Sequence, residues 1–128
     1  MEITKERISI EKTLQYFFDG LDNLDAFTIK KAFHPEARSF SVDQDTLDCK
    51  TIDHWDKTTR TAKDNPDHPF RTKSRKNIVY IDITGVAASA KVEWIFQDFM
   101  FTDYYNMLKI GERWYIMNKI YHTTESAK

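Results

Sequence analysis

Residues 88–97 read Ala-Ser-Ala-Lys-Val-Glu-Trp-Ile-Phe-Gln, and this stretch decides the fold class. Ala88, Ala90, Val92, Trp94 and Phe96 alternate with Ser89, Lys91, Glu93 and Gln97. Side chains along a strand point to opposite faces in turn, so the pattern predicts a strand with one buried face. Upstream of it, Ile78–Thr84 is rich in β-branched and aromatic residues and ends at Gly85. Downstream, 99–110 and 113–122 read as two long antiparallel strands joined through Gly111-Glu112. The last third of the chain is expected to be a four-strand meander.

The first half has a different period. Ile10, Leu14, Phe17, Phe18 and Leu21 recur at spacings of three and four, which lays an apolar stripe along one face of a helix. Thr4 is the expected N-cap of that helix and Gly20 its end. A second helix is predicted from about Asn23 to Phe33, stopped by Pro35. Arg38–Val42 and Gln44–Cys49 read as a short hairpin, and Thr51 as the cap of a third helix that holds Trp55 and fades near Lys63. Residues 64–76 form a loop with Pro66, Pro69 and the cations Arg71, Lys73, Arg75 and Lys76. These cations are read as a solvated approach to an edge strand, where charge discourages edge pairing.

Helices first and strands last define an α+β chain. Three N-terminal helices are expected to pack on a strongly curved, mostly antiparallel sheet, leaving a cone-shaped pocket between the layers. Residues 1–128 make a single domain, with 123–128 read as a frayed tail.

Composition narrows the function classes. Nineteen Lys and Arg balance twenty Asp and Glu, a net charge of −1, so no global field draws the chain to nucleic acid or an anionic membrane. Nine Phe, six Tyr and three Trp supply a substantial aromatic core. Cys49 is the single cysteine, which forbids an internal disulfide and a cysteine-based zinc site. The opening residues lack a signal-peptide apolar stretch, and no apolar run is long enough to span a bilayer. A cytoplasmic protein without a metal or cofactor is expected.

Phe17-Phe18-Asp19-Gly20, followed by Ala32-Phe33-His34-Pro35-Glu36-Ala37, resembles the opening of the nuclear-transport-factor-two-like superfamily. Ile81-Asp82-Ile83-Thr84-Gly85, Phe101-Thr102-Asp103-Tyr104, Leu108-Lys109-Ile110 and Trp114–Ile120 resemble its branch called "putative lumazine-binding", close to SnoaL-like cyclases. The similarity runs from about residue 8 to 122. It implies the cone-shaped, cystatin-like fold, which hosts isomerases, dehydratases, cyclases, epoxide hydrolases and binding modules. Steroid isomerization on this fold needs a tyrosine donor and an aspartate base. Phe17 and Ser41 fall at those positions, so that chemistry is disfavoured. Dehydratase-like chemistry needs His, Asp and Tyr to converge, and the candidates are His34, Asp103, Tyr104 and His122. His34 also reads as a turn residue, His54 and His122 as surface residues, and His68, in the Pro66–Pro69 loop, as the histidine least expected to be ordered. No two histidines have the spacing of a helical metal site.

Two readings follow. In the first, the chain binds a flat apolar small molecule in a cavity lined by Phe17, Trp55, Trp94, Phe96, Tyr104, Trp114, Ile116 and Asn118. In the second, it is a SnoaL-like enzyme using His34, Asp103 or Tyr104 for acid/base chemistry. The turn at Gly111-Glu112 is expected to fix which residues face inward. A bulge there opposes Tyr104 to Asn118, and a tight turn opposes Tyr105 to Asn118. In either case Trp114, Ile116, Asn118 and Ile120 are expected on the inner face. Met107, Tyr115, Met117 and Tyr121 are then expected on an outer face covered by a second copy in a homodimer.

Overall fold

The computed structural model describes residues 2–71, 74–96 and 98–125. Lys73 and Gln97 therefore lie outside the described residues, as do 126–128 of the expected tail. Helix α1 (Ile3–Asp22) leads to α2 (Ala26–Ala32), then strands β1 (Phe33–Asp43) and β2 (Thr46–Thr51), then α3 (His54–Asp64) and a single 3₁₀ turn (Pro69–Arg71). Strands β3 (Arg75–Thr84), β4 (Ala87–Phe96), β5 (Phe99–Ile110) and β6 (Arg113–Glu125) complete the chain. The described residues form the α+β arrangement read from the sequence, three helices on one curved, six-stranded sheet.

The stripe on α1 is the heart of the core. Ile10, Leu14, Phe17, Phe18 and Leu21 are all buried, packed with Val92, Trp94 and Phe96 of β4 and with Trp114 and Ile116 of β6. Gly20 does not end α1, which continues to Asp22. Its role is close approach: a Cβ there would lie 2.6 Å from both the backbone N and Cγ1 of Ile29. Helix α2 therefore sits against α1 at a distance that only a glycine allows. Asp25 starts α2, its Oδ1 accepting from the backbone N–H of Phe27 at 3.1 Å. Neither Thr4 nor Thr51 serves as a cap. The caps of α1 and α3 are Glu2 and Asp53, without side-chain bonds, and Thr51 closes β2.

The sheet order is β2-β1-β6-β5-β4-β3. The predicted meander supplies β3 to β6, and the β1–β2 hairpin joins it by pairing β1 parallel to β6. Strand β6 reaches Glu125 opposite Phe99, so residues 123–125 of the expected tail belong to the ladder.

The β5–β6 register decides which residues face the helices. Gly111, at φ +65°, allows a tight two-residue link, so Ile110 opposes Arg113 and Met107 opposes Ile116. The ladder then slips by one residue at Met117. Beyond it, Asn106 opposes Asn118, Tyr105 opposes Lys119, and Tyr104 opposes Ile120. The bulge lies inside β6 rather than at the turn, so neither expected pairing is realised. A one-residue slip exchanges the faces of everything beyond it. Trp114 and Ile116 face the core as expected, but Lys119 then turns inward and is only 6% exposed, while Ile120 turns outward and is 51% exposed.

Candidate ligand-binding site

Where α1 and α3 cover the β4–β5–β6 end of the sheet, the core opens into a cavity of about 60 Å³. Its deep wall is Phe17, Trp94 and Asp103, all buried. Half-buried His54, Phe70, Phe101 and Tyr121 stand nearer the mouth. Phe70, from the 3₁₀ turn, packs its ring 5.3 Å from that of Phe96. The walls are mostly aromatic because the α1 stripe and the inner parity of β4 and β5 meet here.

Asp103 and Lys119 meet in this mostly aromatic wall, which Ser39, Lys50 and His54 also line, and buried Tyr105 backs them from the core. Tyr105 donates its hydroxyl to Asp103 Oδ2 at 2.7 Å, and the Lys119 ammonium donates to the same oxygen at 3.3 Å. Asp103 and Tyr105 share a face because they are two apart on β5. Lys119 joins them because of the Met117 bulge. Burial, then the Asp103 charge, raise the Tyr105 phenol well above its ordinary range, so it remains an O–H donor. The ammonium is also ringed by aromatic faces, 4.8 Å from Phe17, 4.9 Å from Tyr121 and 5.4 Å from Trp55.

Both donors converge on one carboxylate oxygen. Asp103 Oδ1 has no hydrogen-bond partner among the described residues, although the side chain is 2% exposed. The indole N–H of Trp94 is likewise buried without a bond of good geometry. It lies close enough to the Tyr105 oxygen to offset slightly the rise in that group's pKa. Buried polar groups are nearly always paired, so two unpaired ones in a single cavity wall point to an occupant.

His54 adds a titratable group. Burial first, and then the charges of Lys50 and Lys119, lower its pKa to about 4, so the ring is neutral at pH 7. Thr58 Oγ1 shares a hydrogen bond with His54 Nε2 at 2.8 Å. The sequence reading placed His54 on the surface; the half-buried ring instead lines the cavity.

Of the residues expected to line the cavity, Phe17, Trp55, Trp94 and Phe96 do so, and Asp103 lies among them. The other four lie elsewhere. Tyr104 is 40% exposed on the outer face, under the Lys91 ammonium, because Asp103 holds the inward parity of β5. Asn118 is turned outward by the bulge and accepts from Asn106 Nδ2 at 2.9 Å. Trp114 and Ile116 are core residues at the other end of β6, and the Trp114 indole donates to Glu6 at 2.7 Å. Of the catalytic candidates, only Asp103 reaches the cavity. His34 is a turn residue whose Nδ1 accepts from the Glu36 N–H at 3.1 Å, and His122 is exposed. Among the described residues, no cluster of three His, Cys, Asp or Glu is placed to hold a metal.

The outer face also differs from expectation. Met107 is 2% exposed inside the core, and Tyr121 lines the cavity. Both lie on the inner parity of their strands, Tyr121 because of the bulge. Tyr115 and Met117 are half-buried. Two of the loop cations are engaged. Arg71 donates to the Lys63 carbonyl at 2.9 Å at the end of α3, and Lys76 pairs with Asp22. Cys49 is exposed.

Three helices on a curved sheet, with a cavity opening between the layers, define a nuclear-transport-factor-two-like protein. The sequence profile of the family described as "Putative lumazine-binding" matches residues 5–122, and the chain belongs to this family. It is 32% identical to an NTF2-like protein of unknown function from Shewanella baltica, with a TM-score of 0.82 over 98% of this chain and 99% of that one. NTF2-like proteins of unknown function from Methylobacillus flagellatus (24% identity, TM-score 0.79, covering 97% of this chain and 95% of that one) and Silicibacter pomeroyi (16% identity, TM-score 0.82, covering 97% and 100%) share the fold. No curated protein matches the chain.

Proposed function

We propose that this protein binds a small, flat, largely apolar molecule, with the aromatic walls holding its rings and Asp103 and Lys119 its polar edge. The observation that carries this reading is the buried Lys119–Asp103 pair, each side chain under a tenth exposed, in the wall of an apolar cavity. A buried ion pair is seldom more stabilising than a well-packed apolar pair of the same volume, so its presence calls for another role. The chamber of about 60 Å³ is smaller than the roughly 150 Å³ that lodges a benzene ring. The ring therefore occupies the mouth, displacing half-buried Phe70 and Phe101, and only the polar edge enters the chamber. The test is mass spectrometry of small molecules released by denaturing the purified protein, followed by thermal-shift titration with what is found. A ligand that raises the midpoint of wild type, but not of Asp103→Leu with Lys119→Met, supports the reading. Equal shifts in both proteins overturn it.

One observation favours acid/base catalysis instead: a carboxylate oxygen without a partner lies in the same cavity as a neutral histidine. Turnover of the bound molecule that falls on the order of 10²–10⁴-fold in Asp103→Asn, with affinity kept, would establish it.

We also infer that a second copy covers the outer face. Phe40 is half-buried, and Val42, Leu47, Tyr104 and Ile120, each at least 40% exposed, line an apolar groove beside it. Sedimentation of wild type as a monomer would contradict this.

A further inference from the structure

We infer that the cavity selects ligands whose polar edge is a cis-amide, a ring N–H beside a C=O, as in a lactam. This inference rests on the binding reading above and names the chemistry of its occupant. It follows from what the buried groups lack. Among the described residues, Asp103 Oδ1 is an acceptor without a donor, and Trp94 Nε1 is a donor without a well-placed acceptor. Lys119 uses one of its three protons on Asp103 Oδ2, and among the described residues it has no other hydrogen-bond acceptor. Ser39, Lys50 and His54 also line the cavity, with Lys50 paired to Asp48 and His54 to Thr58. The groups left over are one acceptor, Asp103 Oδ1, and the donors of Lys119 and Trp94, and their complement is a donor beside an acceptor.

A carboxylate ligand brings two acceptors and no donor, and would face Asp103 Oδ1 with like charge. An ammonium brings only donors and would face Lys119. A planar cis-amide supplies both partners from one edge. The N–H of a lactam donates to Asp103 Oδ1 while its carbonyl accepts from Lys119 or Trp94. The ring then lies along the aromatic mouth.

Asp103→Asn makes the inference sharply testable. Tyr105 and Lys119 both donate to the Oδ2 side, so the amide of Asn must turn its oxygen to them and its N–H₂ toward the cavity. The vacant acceptor becomes a donor, and a lactam N–H is then opposed by another N–H.

The probes are 2-pyridone, N-methyl-2-pyridone and toluene, titrated into ¹⁵N-labelled full-length protein with the indole signal of Trp55, which lines the same cavity and is present in every variant, followed by NMR. Wild type is expected to bind 2-pyridone at least about tenfold more tightly than its N-methyl analogue, because a buried polar group left unpaired discriminates strongly. In Asp103→Asn the preference should vanish or invert. If the methyl group were rejected by bulk alone, Asp103→Asn would still reject it, and the inference would fail. A difference under threefold in wild type also overturns it. Trp94→Phe keeps the ion pair intact, and should weaken both pyridones while leaving their ratio unchanged. Toluene binding in the cavity without any amide preference would leave the binding reading standing and remove this one. No response to any of the three probes at millimolar concentration would remove both.

Discussion

Strands β5 and β6 carry two buried acid–lysine groups built from the same parts. At the turn end, Lys109 and Trp114 face each other across the ladder and grip Glu6 of α1. Four residues further along β5, Tyr105 and Lys119 face each other and grip Asp103. Each group has one lysine, one aromatic donor and one carboxylate. The difference lies in how the donors are shared. Lys109 donates to Glu6 Oε1 at 2.8 Å and Trp114 to Oε2 at 2.7 Å, so both oxygens are satisfied. At Asp103 both donors crowd Oδ2, and Oδ1 has no partner among the described residues. The first arrangement is complete and ties the start of α1 to the sheet. The second is incomplete and opens onto a cavity. The same chemistry closes the Glu6 group, where every lone pair is used, and leaves the Asp103 group with an oxygen free for the proposed ligand.

The largest break in this comparison is Lys119→Met. It leaves Asp103 buried without its cation and should cost about 3–5 kcal/mol. Adding Asp103→Leu should recover most of that loss, because a buried pair replaced by apolar residues is near neutral. If the double variant is no more stable than the single, the pair is structural after all and the contrast with Glu6 collapses.

A smaller effect separates the groups by pH. Lys109 and Trp114 hold the Glu6 carboxyl below its ordinary range, the lysine bond being the larger cause. The unfolded chain then binds this proton at higher pH than the folded one. The Glu6 contribution is full above the usual carboxylate range and is lost as the pH falls through the lowered value. Glu6→Gln should flatten that part of the acid limb of a thermal-midpoint profile and leave ligand affinity unchanged. A loss of affinity would show that the two groups are coupled.

The sequence carries the inner face up to Ile116 and loses it at the next residue. The α1 stripe, the β4 alternation and the two-apart pair Asp103 and Tyr105 are periodic, and their faces follow from geometry alone. The stretch 114–121 is ambiguous because both parities are apolar: Trp114, Ile116 and Ile120 on one, Tyr115, Met117 and Tyr121 on the other. Neither glycine nor proline marks Met117, so nothing local announces the slip. The charge on Lys119 argues for the surface until its partner on β5 is in view. Gly20 was legible as special, but its reason is Ile29 on the next helix, a contact that period counting cannot supply. His54 begins a mostly polar helix, and its burial comes from where α3 lies rather than from its neighbours in sequence.

The smallest expected effect tests that burial. His54 is held neutral in the folded protein, with its pKa near 4, against an ordinary 6.5. Between these values the unfolded chain takes up a proton that the folded chain refuses. Stability should therefore decline as the pH falls from about 6.5 toward 4 and then level off with respect to this group. The ring is only half-buried and solvent screens it, so the decline is on the order of 1 kcal/mol rather than the full linkage value. His54→Gln keeps a polar group beside Thr58 and cannot titrate, so the decline should be absent from its profile. The Glu6 step lies at lower pH and should remain. An unchanged slope between pH 6.5 and 5 in His54→Gln would place the ring in solvent and remove it from the cavity wall, leaving Asp103 without a neutral histidine nearby and the catalytic reading without its second group.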